Sequence, residues 1–245
     1  MTRLADLAVP FEKQLRSHSS RMCGAAALCM VYRSLGVACT QQQIWEQIAR
    51  PDRNNHRAAR THLLAANALC HGLGAICFEA VEPWTVLERG AAGRTRVILN
   101  HRLRSGSLLG HYTVLVAVDG NEAIVHDPRV GPDRRLAKEE LLGLWRPADD
   151  RSEVAGHVLV AIGPALTGAN SCGACRVAFP SGVACPKCHS EIPLRPAGVL
   201  GCPARSCPTR LWVRLFCPYC DASIASIVAA KPGLKTLSGC SPRGR

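Results

Sequence analysis

The sequence predicts an α+β fold, in which helices precede a mainly antiparallel sheet, followed by a small cysteine-rich module. Two observations predict the order of the elements: helix-type patterns fill the chain up to Ala75, and runs of β-branched residues bounded by turn residues come after it. A third observation sets the C-terminal part aside, because eight of the 14 cysteines fall in close pairs between Cys172 and Cys220. Helices first and strands afterwards favour an α+β domain.

Three helices are predicted ahead of the strands. Residues 23–35 are rich in Ala, Leu, Met and Val, and the Gly that follows them is a typical helix stop. Thr40 can cap a second helix over 41–49, and Thr61 can cap a third helix that ends at His71. The first of these helices therefore begins on a cysteine.

Four strands and one more helix are predicted in the next part of the chain. The runs at 96–100, 112–118, 122–126 and 157–162 are rich in β-branched residues and bounded by turn residues. A helix over 137–145 interrupts them.

Charge divides the chain unevenly. Residues 1–170 hold 20 basic and 16 acidic residues, whereas 171–245 hold 10 basic and 2 acidic residues, a net of +8 out of +12. The Gly- and Pro-bearing stretch between the two parts is typical of a linker. We therefore predict a first domain over 1–163, a linker over 164–170, a cysteine-rich domain over 171–224 and a basic tail over 225–245.

Composition excludes several classes of protein. At 47% hydrophobic and 20% charged residues, the chain is globular rather than disordered. The longest nearly uncharged apolar run, 22–32, is too short to cross a bilayer, so no membrane association is expected. Paired and scattered cysteines of this kind indicate reduced thiols and metal ligands rather than a disulfide framework, which predicts a cytoplasmic protein.

Cys23 is the first candidate for chemistry. A cysteine in the first turn of a helix lies at the positive end of the helix dipole, which favours the thiolate. A thiolate nucleophile also needs a base, and the base needs an orienting partner. His111 and Asp127, on neighbouring predicted strands, offer both; His126 is a rival base, but strand alternation points it away from His111.

The register of the hairpin decides whether His111 and Asp127 can meet. Asp-Gly-Asn between the two strands is a plausible three-residue loop, which pairs Val118 with Glu122. Asp127 then lies on the same face as His111, as its diagonal neighbour. A two-residue loop would shift the register by one residue and turn Asp127 to the other face.

Three motifs in this order resemble a known family. Cys-Gly-Ala-Ala-Ala-Leu at 23–28, Gly-His-Tyr-Thr-Val-Leu-Val at 110–116 and Ile-Val-His-Asp-Pro-Arg-Val-Gly at 124–131 are similar to the papain-like peptidases that process bacteriocin leaders after a double glycine. The similarity is closer to their stand-alone relatives than to the transporter-fused ones. It covers roughly residues 8–163, including the helix that ends in Leu-Leu-Gly-Leu-Trp at 141–145.

The resemblance implies roles for four residues. Cys23 would be the nucleophile, His111 the general base and acid, and Asp127 the orienting partner in peptide-bond hydrolysis through an acyl-enzyme. The family also uses a Gln about six residues before the nucleophile as an oxyanion donor. Gln14 precedes Cys23 by nine residues, so either the loop is longer and Gln14 still reaches, or this donor is missing. Taken singly, each residue also has an ordinary structural reading: a core cysteine, a strand histidine and a turn aspartate.

The cysteine pairs have the spacing of zinc ligands. Two short-spaced pairs can close on one tetrahedral Zn²⁺, and eight thiolates give two structural ions with no position open to water. The arrangement resembles a double zinc ribbon. The eight candidate ligands are Cys172, Cys175, Cys185, Cys188, Cys202, Cys207, Cys217 and Cys220. The nine-residue spacers favour sequential sets, the first four and the last four cysteines, and a crossed arrangement is the alternative.

The cysteine-rich segment could serve as a binding surface. It carries five arginines near aromatic residues, which suits nucleic acid, but a module for docking a protein partner or substrate is favoured. The arginines are Arg176, Arg195, Arg205, Arg210 and Arg214, and the aromatic residues are Trp212, Phe216 and Tyr219. The leading hypothesis is a thiol peptidase acting on a peptide or protein. The alternatives are a catalytically inactive papain-like binding module and a nucleic-acid-binding protein.

Overall fold

The structure is a computed structural model that describes residues 8–15, 21–52, 55–164 and 171–225. The predicted linker lies outside the described residues except for Pro164, and the predicted tail lies outside them except for Ala225.

The described chain forms five α-helices and twelve strands. The helices are α1 (Cys23–Ser34), α2 (Gln41–Ile48), α3 (Thr61–Cys70), α4 (Pro83–Ala91) and α5 (Lys138–Leu144). The strands are β1 (Ala49–Pro51), β2 (Arg57–Ala59), β3 (Gly74–Ala80), β4 (Arg96–Arg102), β5 (Gly110–Asp119), β6 (Glu122–Asp127), β7 (Gly131–Ala137), β8 (Val158–Gly163), β9 (Gly182–Ala184), β10 (Glu191–Pro193), β11 (Trp212–Phe216) and β12 (Ser223–Ile224).

One eight-stranded sheet organises the described chain. Its strands lie in the order β12-β11-β3-β8-β4-β5-β6-β7, and every neighbouring pair is antiparallel. Two short antiparallel pairs, β1–β2 and β9–β10, stand apart from it. The α+β prediction with a mainly antiparallel sheet is confirmed.

The cysteine-rich segment shares this sheet with the N-terminal part. β11 pairs with β3, so Leu215 lies opposite Phe78 and Phe216 opposite Cys77. The side chains of β11 thereby join the cores on β3, because neighbouring strands in a sheet direct their paired residues to the same face.

Alternation along the central strands builds a core on each face of the sheet. Ile76 and Phe78 of β3 pack with α4, α5 and apolar residues of the cysteine-rich segment, including Trp212. Ala75 and Cys77 point the other way and pack with α1, α2 and α3. Strand periodicity of two residues thus places helices on both faces and the cysteine-rich segment over one of them.

Most of the predicted helix boundaries are close to the observed ones. Thr40 caps α2 as expected, and its side chain and that of Gln43 form a reciprocal capping box. The prediction that Thr61 caps α3 is wrong, because Arg60 occupies the cap position. The Thr61 hydroxyl instead accepts a hydrogen bond from Asn100 and contacts the Tyr112 hydroxyl at 3.0 Å. The Thr61 hydroxyl therefore contacts side chains of the sheet instead of capping its own helix.

Several elements lie outside the sequence prediction. α4 begins at Pro83, a favourable first helical residue that was not recognised, and β3 and β7 extend the sheet beyond the four expected strands. None of the described helices combines the length and the apolar character that crossing a membrane requires.

Candidate active site and cysteine sets

The start of α1 presents Cys23. Cys23 is the first residue of the helix, its side chain is buried, and Met22 provides no side-chain cap. The unfilled N-terminus leaves the positive end of the helix dipole on the sulfur. A Cβ on Gly24 would come within 3.2 Å of the Tyr112 ring, so glycine lets α1 approach β5 closely.

The hairpin that carries His111 and Asp127 differs from its predicted form. Asp119 pairs with Glu122, so the loop has two residues and the predicted pairing of Val118 with Glu122 is wrong. A β-bulge between Leu115 and Ala117 then shifts the register by one residue. The extra residue of the bulge restores the predicted register beyond it, because one inserted residue reverses the facing of those that follow.

The bulge brings His111 and Asp127 together. His111 Nε2 lies 2.7 Å from Asp127 Oδ1, and both side chains are buried. The same oxygen accepts hydrogen bonds from the backbone N–H groups of Arg129 and Val130, and Arg134 donates to Oδ2 at 3.0 Å. Burial favours the neutral carboxyl, but the hydrogen bond and charge of His111 and the two N–H groups hold the pKa of Asp127 well below its usual range.

Charge on His111 acts in turn on Cys23. Burial works against the imidazolium, yet hydrogen bonds to Asp127 and Cys23 outweigh it and raise the pKa of His111 to about 9. Burial also opposes the Cys23 thiolate, but the hydrogen bond and positive charge of His111 lower the pKa of the thiol below its ordinary value. Opposite shifts of this kind favour a thiolate–imidazolium pair at neutral pH.

His101 stands behind His111 on the neighbouring strand. The two rings meet edge to face with centroids 5.9 Å apart. Burial and the charge of His111 lower the pKa of His101 to about 4, and its ring nitrogens lie 2.8 Å from the Arg102 carbonyl and 3.0 Å from the Thr113 hydroxyl. Neutral His101 therefore packs beside charged His111 without competing for Asp127.

The other two residues considered from sequence lie near the same loop. The backbone N–H of Gln14 donates to the Pro128 carbonyl at 3.0 Å, which ties Gln14 beside the turn after Asp127. His126 Nε2 lies 2.8 Å from the Val9 carbonyl, away from His111 as the alternation predicted. The geometry thus groups Cys23, His111 and Asp127, with Gln14 joined through its backbone.

A cleft of about 370 Å³ opens beside Cys23. Its lining comes from both parts of the chain and includes Cys23, Ala59, Asn100, Tyr112, Phe216 and Asp221. The last two belong to the cysteine-rich segment, on either side of the Cys217–Cys220 pair. A ligand bound in this cleft would therefore contact both the N-terminal part and the cysteine-rich segment.

The eight paired cysteines form two crossed sets. The first set is Cys172, Cys175, Cys202 and Cys207, and the second set is Cys185, Cys188, Cys217 and Cys220. The favoured sequential sets are therefore wrong. Each nine-residue spacer contains a strand, β9 or β11, which carries the chain from one set to the other.

The donor atoms fit zinc. Within each set all four sulfurs lie within 4.8 Å of one another. The closest sulfur pairs are 3.8 and 3.4 Å apart in the first set and 3.6 Å apart, twice, in the second. Four thiolates at about 2.3 Å from a tetrahedral Zn²⁺ would stand about 3.8 Å apart. These separations are too long for disulfide bonds and suit an ion in each set.

The thiols of each set differ in pKa: that of one cysteine is lowered by hydrogen bonds, whereas burial raises that of Cys202 in the first set and of Cys217 in the second. The Thr209 hydroxyl and backbone groups lower the pKa of Cys172 to about 6. Burial opposes the charge of Cys188, but the hydroxyl and backbone of Ser190 lower its pKa to about 6. Metal binding needs deprotonated cysteines, and a cation in each set would favour the charged form of all four.

Sequence reasoning missed four residues of these sites. Arg134 and His101 contact the His111–Asp127 pair, and Phe216 and Asp221 line the cleft. A buried carboxylate needs a cation or several donors, but the sequence does not show which arginine supplies the cation, because Arg134 lies on a strand that was not predicted. No local pattern marks Asp221, because its neighbours come from a distant helix.

Three solved structures resemble this chain. One is a double glycine motif protease from an AMS/PCAT transporter in complex with the leader peptide, with 23% identity, coverage of 64% of this chain and 93% of that chain, and a TM-score of 0.45. Another is the peptidase domain of Streptococcus ComA, a bifunctional ABC transporter of a quorum-sensing pathway, with 16% identity, coverage of 64% and 98%, and a TM-score of 0.48. A third is a Bacillus anthracis protein described as a C39-like peptidase, with 15% identity, coverage of 63% and 94%, and a TM-score of 0.47. No protein-family model matches the sequence, and no curated protein matches it.

Proposed function

We propose that the chain is a papain-like thiol peptidase that hydrolyses peptide bonds through an acyl-enzyme on Cys23. The observation that carries this proposal is the buried Asp127–His111 pair, in which the hydrogen bond and positive charge of His111 lower the pKa of the Cys23 thiol. A nucleophile with a lowered pKa, beside a base that a third group orients, is the arrangement that acyl transfer requires.

The proposed first half-reaction uses the thiolate–imidazolium pair. The Cys23 sulfur attacks the carbonyl carbon, and the negative charge moves to the carbonyl oxygen. Because Asp127 engages Nε2, the Nδ1 nitrogen of His111 is the one that serves the reacting groups. His111 gives its proton to the leaving amine nitrogen, the C–N bond breaks, and a thioester remains on Cys23.

In the proposed second half-reaction water releases the product. Neutral His111 takes a proton from water, the hydroxide attacks the thioester carbon, and the C–S bond breaks to restore the thiolate–imidazolium pair. Backbone N–H groups in the first turn of α1, which have no partner within the helix, would stabilise the oxyanion. Gln14 is the second donor in this proposal, and its attachment to Pro128 supports that position.

We further propose that the two cysteine sets hold two structural Zn²⁺ ions. When bound, each ion would fix the turns that carry its four ligands and would leave no coordination site open for catalysis. The divisions 1–163 and 171–224 remain our proposed catalytic and zinc-ribbon domains, with docking of substrate or partner as the role of the second. Zinc thiolates require reduced cysteines, which supports our placing the protein in the cytoplasm, whereas Cys70, which is disulfide-bonded, does not fit that placement.

Cleavage of defined peptides tests the peptidase proposal. Wild type and Cys29→Ala, a substitution in the same helix, are expected to cut synthetic peptides that carry an internal Gly-Gly pair. Cys23→Ala is expected to cut none of them, and mass spectrometry of wild type should detect a thioester on Cys23. Cleavage that survives Cys23→Ala would overturn the proposal.

Binding measurements with the same peptides address the first alternative. If wild type and Cys23→Ala both bind a peptide tightly and neither cuts it, the chain is a binding module with a papain-like fold.

The contacts of two arginines argue against nucleic acid: Arg210 stacks on Trp212 and donates to backbone carbonyls, and Arg214 pairs with Glu79. Nucleic-acid affinity that falls steeply with salt would support that alternative instead.

A further inference from the structure

The second cysteine set directly adjoins the cleft. Phe216 immediately precedes its ligand Cys217, and Asp221 immediately follows its ligand Cys220. Both flanking residues line the cleft together with Cys23, whereas no residue next to a cysteine of the first set does. The hairpin that would hold one metal ion is therefore also a wall of the cleft.

Asp221 links this wall to the opposite side of the cleft. One carboxylate oxygen lies 2.9 Å from Nδ1 of buried His62, and the other lies 3.7 Å from the guanidinium of Arg60. His62 is in the first turn of α3 and Arg60 is its cap residue. The contact therefore joins the metal-binding turn to the start of a helix in the N-terminal part.

The start of α3 also contacts residues that lie beside Cys23. The hydroxyl of the neighbouring residue Thr61 contacts the Tyr112 hydroxyl. The Tyr112 hydroxyl donates to the Ala59 carbonyl at 3.1 Å. The Tyr112 ring lies against Gly24, next to Cys23. A continuous series of contacts thus runs from the second cysteine set to the candidate nucleophile.

The backbone around Asp221 offers matched variants. Asp221, His189 and Arg176 each follow the second cysteine of a Cys-x2-Cys pair and have φ values of 61°, 60° and 60°. Each donates its N–H to the carbonyl of the first cysteine of its pair, at 3.0, 2.9 and 2.8 Å. Glycine adopts this left-handed conformation freely, so substitution by glycine removes the side chain and keeps the turn.

We propose that Asp221 is a positioning residue that fixes the metal-binding hairpin of the second set against α3, so that metal bound there shapes the peptide cleft. The identification of the cleft's ligand as a peptide rests on the proposed peptidase function. The contact of Asp221 with α3 does not depend on that function. Metal in the first set has no corresponding effect, because its residues lie outside the cleft lining.

Two measurements on Asp221→Gly, with His189→Gly as the matched control, test this proposal. The first is the labelling rate of Cys77 by N-ethylmaleimide. Cys77 is 1% exposed, lies opposite Phe216 and forms part of the cleft wall, so it reports loosening of the hairpin. The second is the separate determination of KM and kcat for cleavage of a Gly-Gly peptide.

Asp221→Gly is expected to raise both the labelling rate and KM about threefold, the equivalent of a partly exposed ion pair, with kcat little changed. Zinc content should stay at that of wild type. His189→Gly should behave as wild type. Asp221→Asn, which keeps the size of the side chain but removes its charge, should resemble Asp221→Gly.

Equal Cys77 labelling in Asp221→Gly and His189→Gly would overturn the proposal. If Asp221→Gly loses zinc, His62→Gln repeats the comparison from the other side of the contact, away from any metal ligand. If no peptide is cut by wild type, the peptidase proposal fails, while Cys77 labelling still decides the role of Asp221.

Discussion

Asp127 is a fully buried carboxylate whose oxygens accept four hydrogen bonds within the described chain. Two come from backbone N–H groups of the following turn, one from His111 and one from Arg134. The arrangement keeps the carboxylate ionised in the interior, and an ionised Asp127 is what keeps His111 charged. The candidate nucleophile therefore depends on groups that never touch it.

Removal of Arg134 should reveal this dependence. Arg134→Ala is expected to lower the free energy of unfolding by about 3 kcal/mol, because it removes one of the two cations that pair with a buried carboxylate. Arg135→Ala is the control, since Arg135 is half exposed and pairs with Asp119 and Glu122 at the surface. An exposed pair contributes at most about 1 kcal/mol. Urea denaturation of both variants checks the difference; equal losses would contradict the role given to Arg134.

At the scale of single residues, the sequence predicted most of the candidate site. The helix start at Cys23 follows from local periodicity, which a single sequence carries. The facing of His111 and Asp127 agrees with the prediction only because an unpredicted bulge compensates for the wrong loop length. Arg134 lies on β7, a strand that was not predicted, so its approach to Asp127 could not be inferred. The side-chain position of Gln14 likewise depends on a segment with no periodic pattern.

At the scale of elements, the β5–β6 hairpin shows how two local errors can cancel. The predicted three-residue loop is a two-residue loop, which alone would have turned Asp127 away from His111. The bulge at Val116 corrects the facing. Turn residues allowed both loops, and nothing in the run of β-branched residues around Val116 signals a bulge.

Alanine substitutions at one glycine of α4 and one glycine of α5 are predicted to change the stability of the fold in opposite directions. A Cβ on Gly90 would come within 2.5 Å of Val97 Cγ2, whereas a Cβ on Gly143 would meet nothing within 4 Å. Gly90→Ala should therefore destabilise the fold by about 1–3 kcal/mol through overpacking. Gly143→Ala should stabilise it by about 0.5–1 kcal/mol through reduced backbone entropy of the unfolded chain. Thermal unfolding of the two variants measures both, and the same sign for both would contradict this packing.

At the scale of the whole molecule, one sheet spans the N-terminal part and the cysteine-rich segment. β11 continues the sheet beside β3, and residues such as Trp212 complete the core on one face. The crossing of the cysteine sets follows from the strands that separate the pairs. Spacing alone could not reveal this, because a nine-residue spacer can fold back as a loop or run straight as a strand.

Zinc content of double variants tests the crossing directly. Cys172→Ser with Cys202→Ser affects only the first set, so the protein should lose one of two zinc ions. Cys172→Ser with Cys185→Ser affects both sets and should lose both ions. Sequential sets would give the reverse result. Metal analysis of the purified variants distinguishes the two arrangements.

The pH dependence of Cys23 alkylation by iodoacetamide tests the central claim most directly. Because His111 lowers the pKa of Cys23, wild type should react with a midpoint well below that of a free thiol, about 8.5. His111→Ala should move the midpoint upward, since only the backbone N–H groups of Tyr112 and Gly24 then oppose the effect of burial. Cys29, whose pKa is raised by burial and by its contacts with Cys39 and Glu12, should stay unreactive across this range. A Cys23 midpoint at or above that of a free thiol, or one that His111→Ala leaves unchanged, would contradict the account.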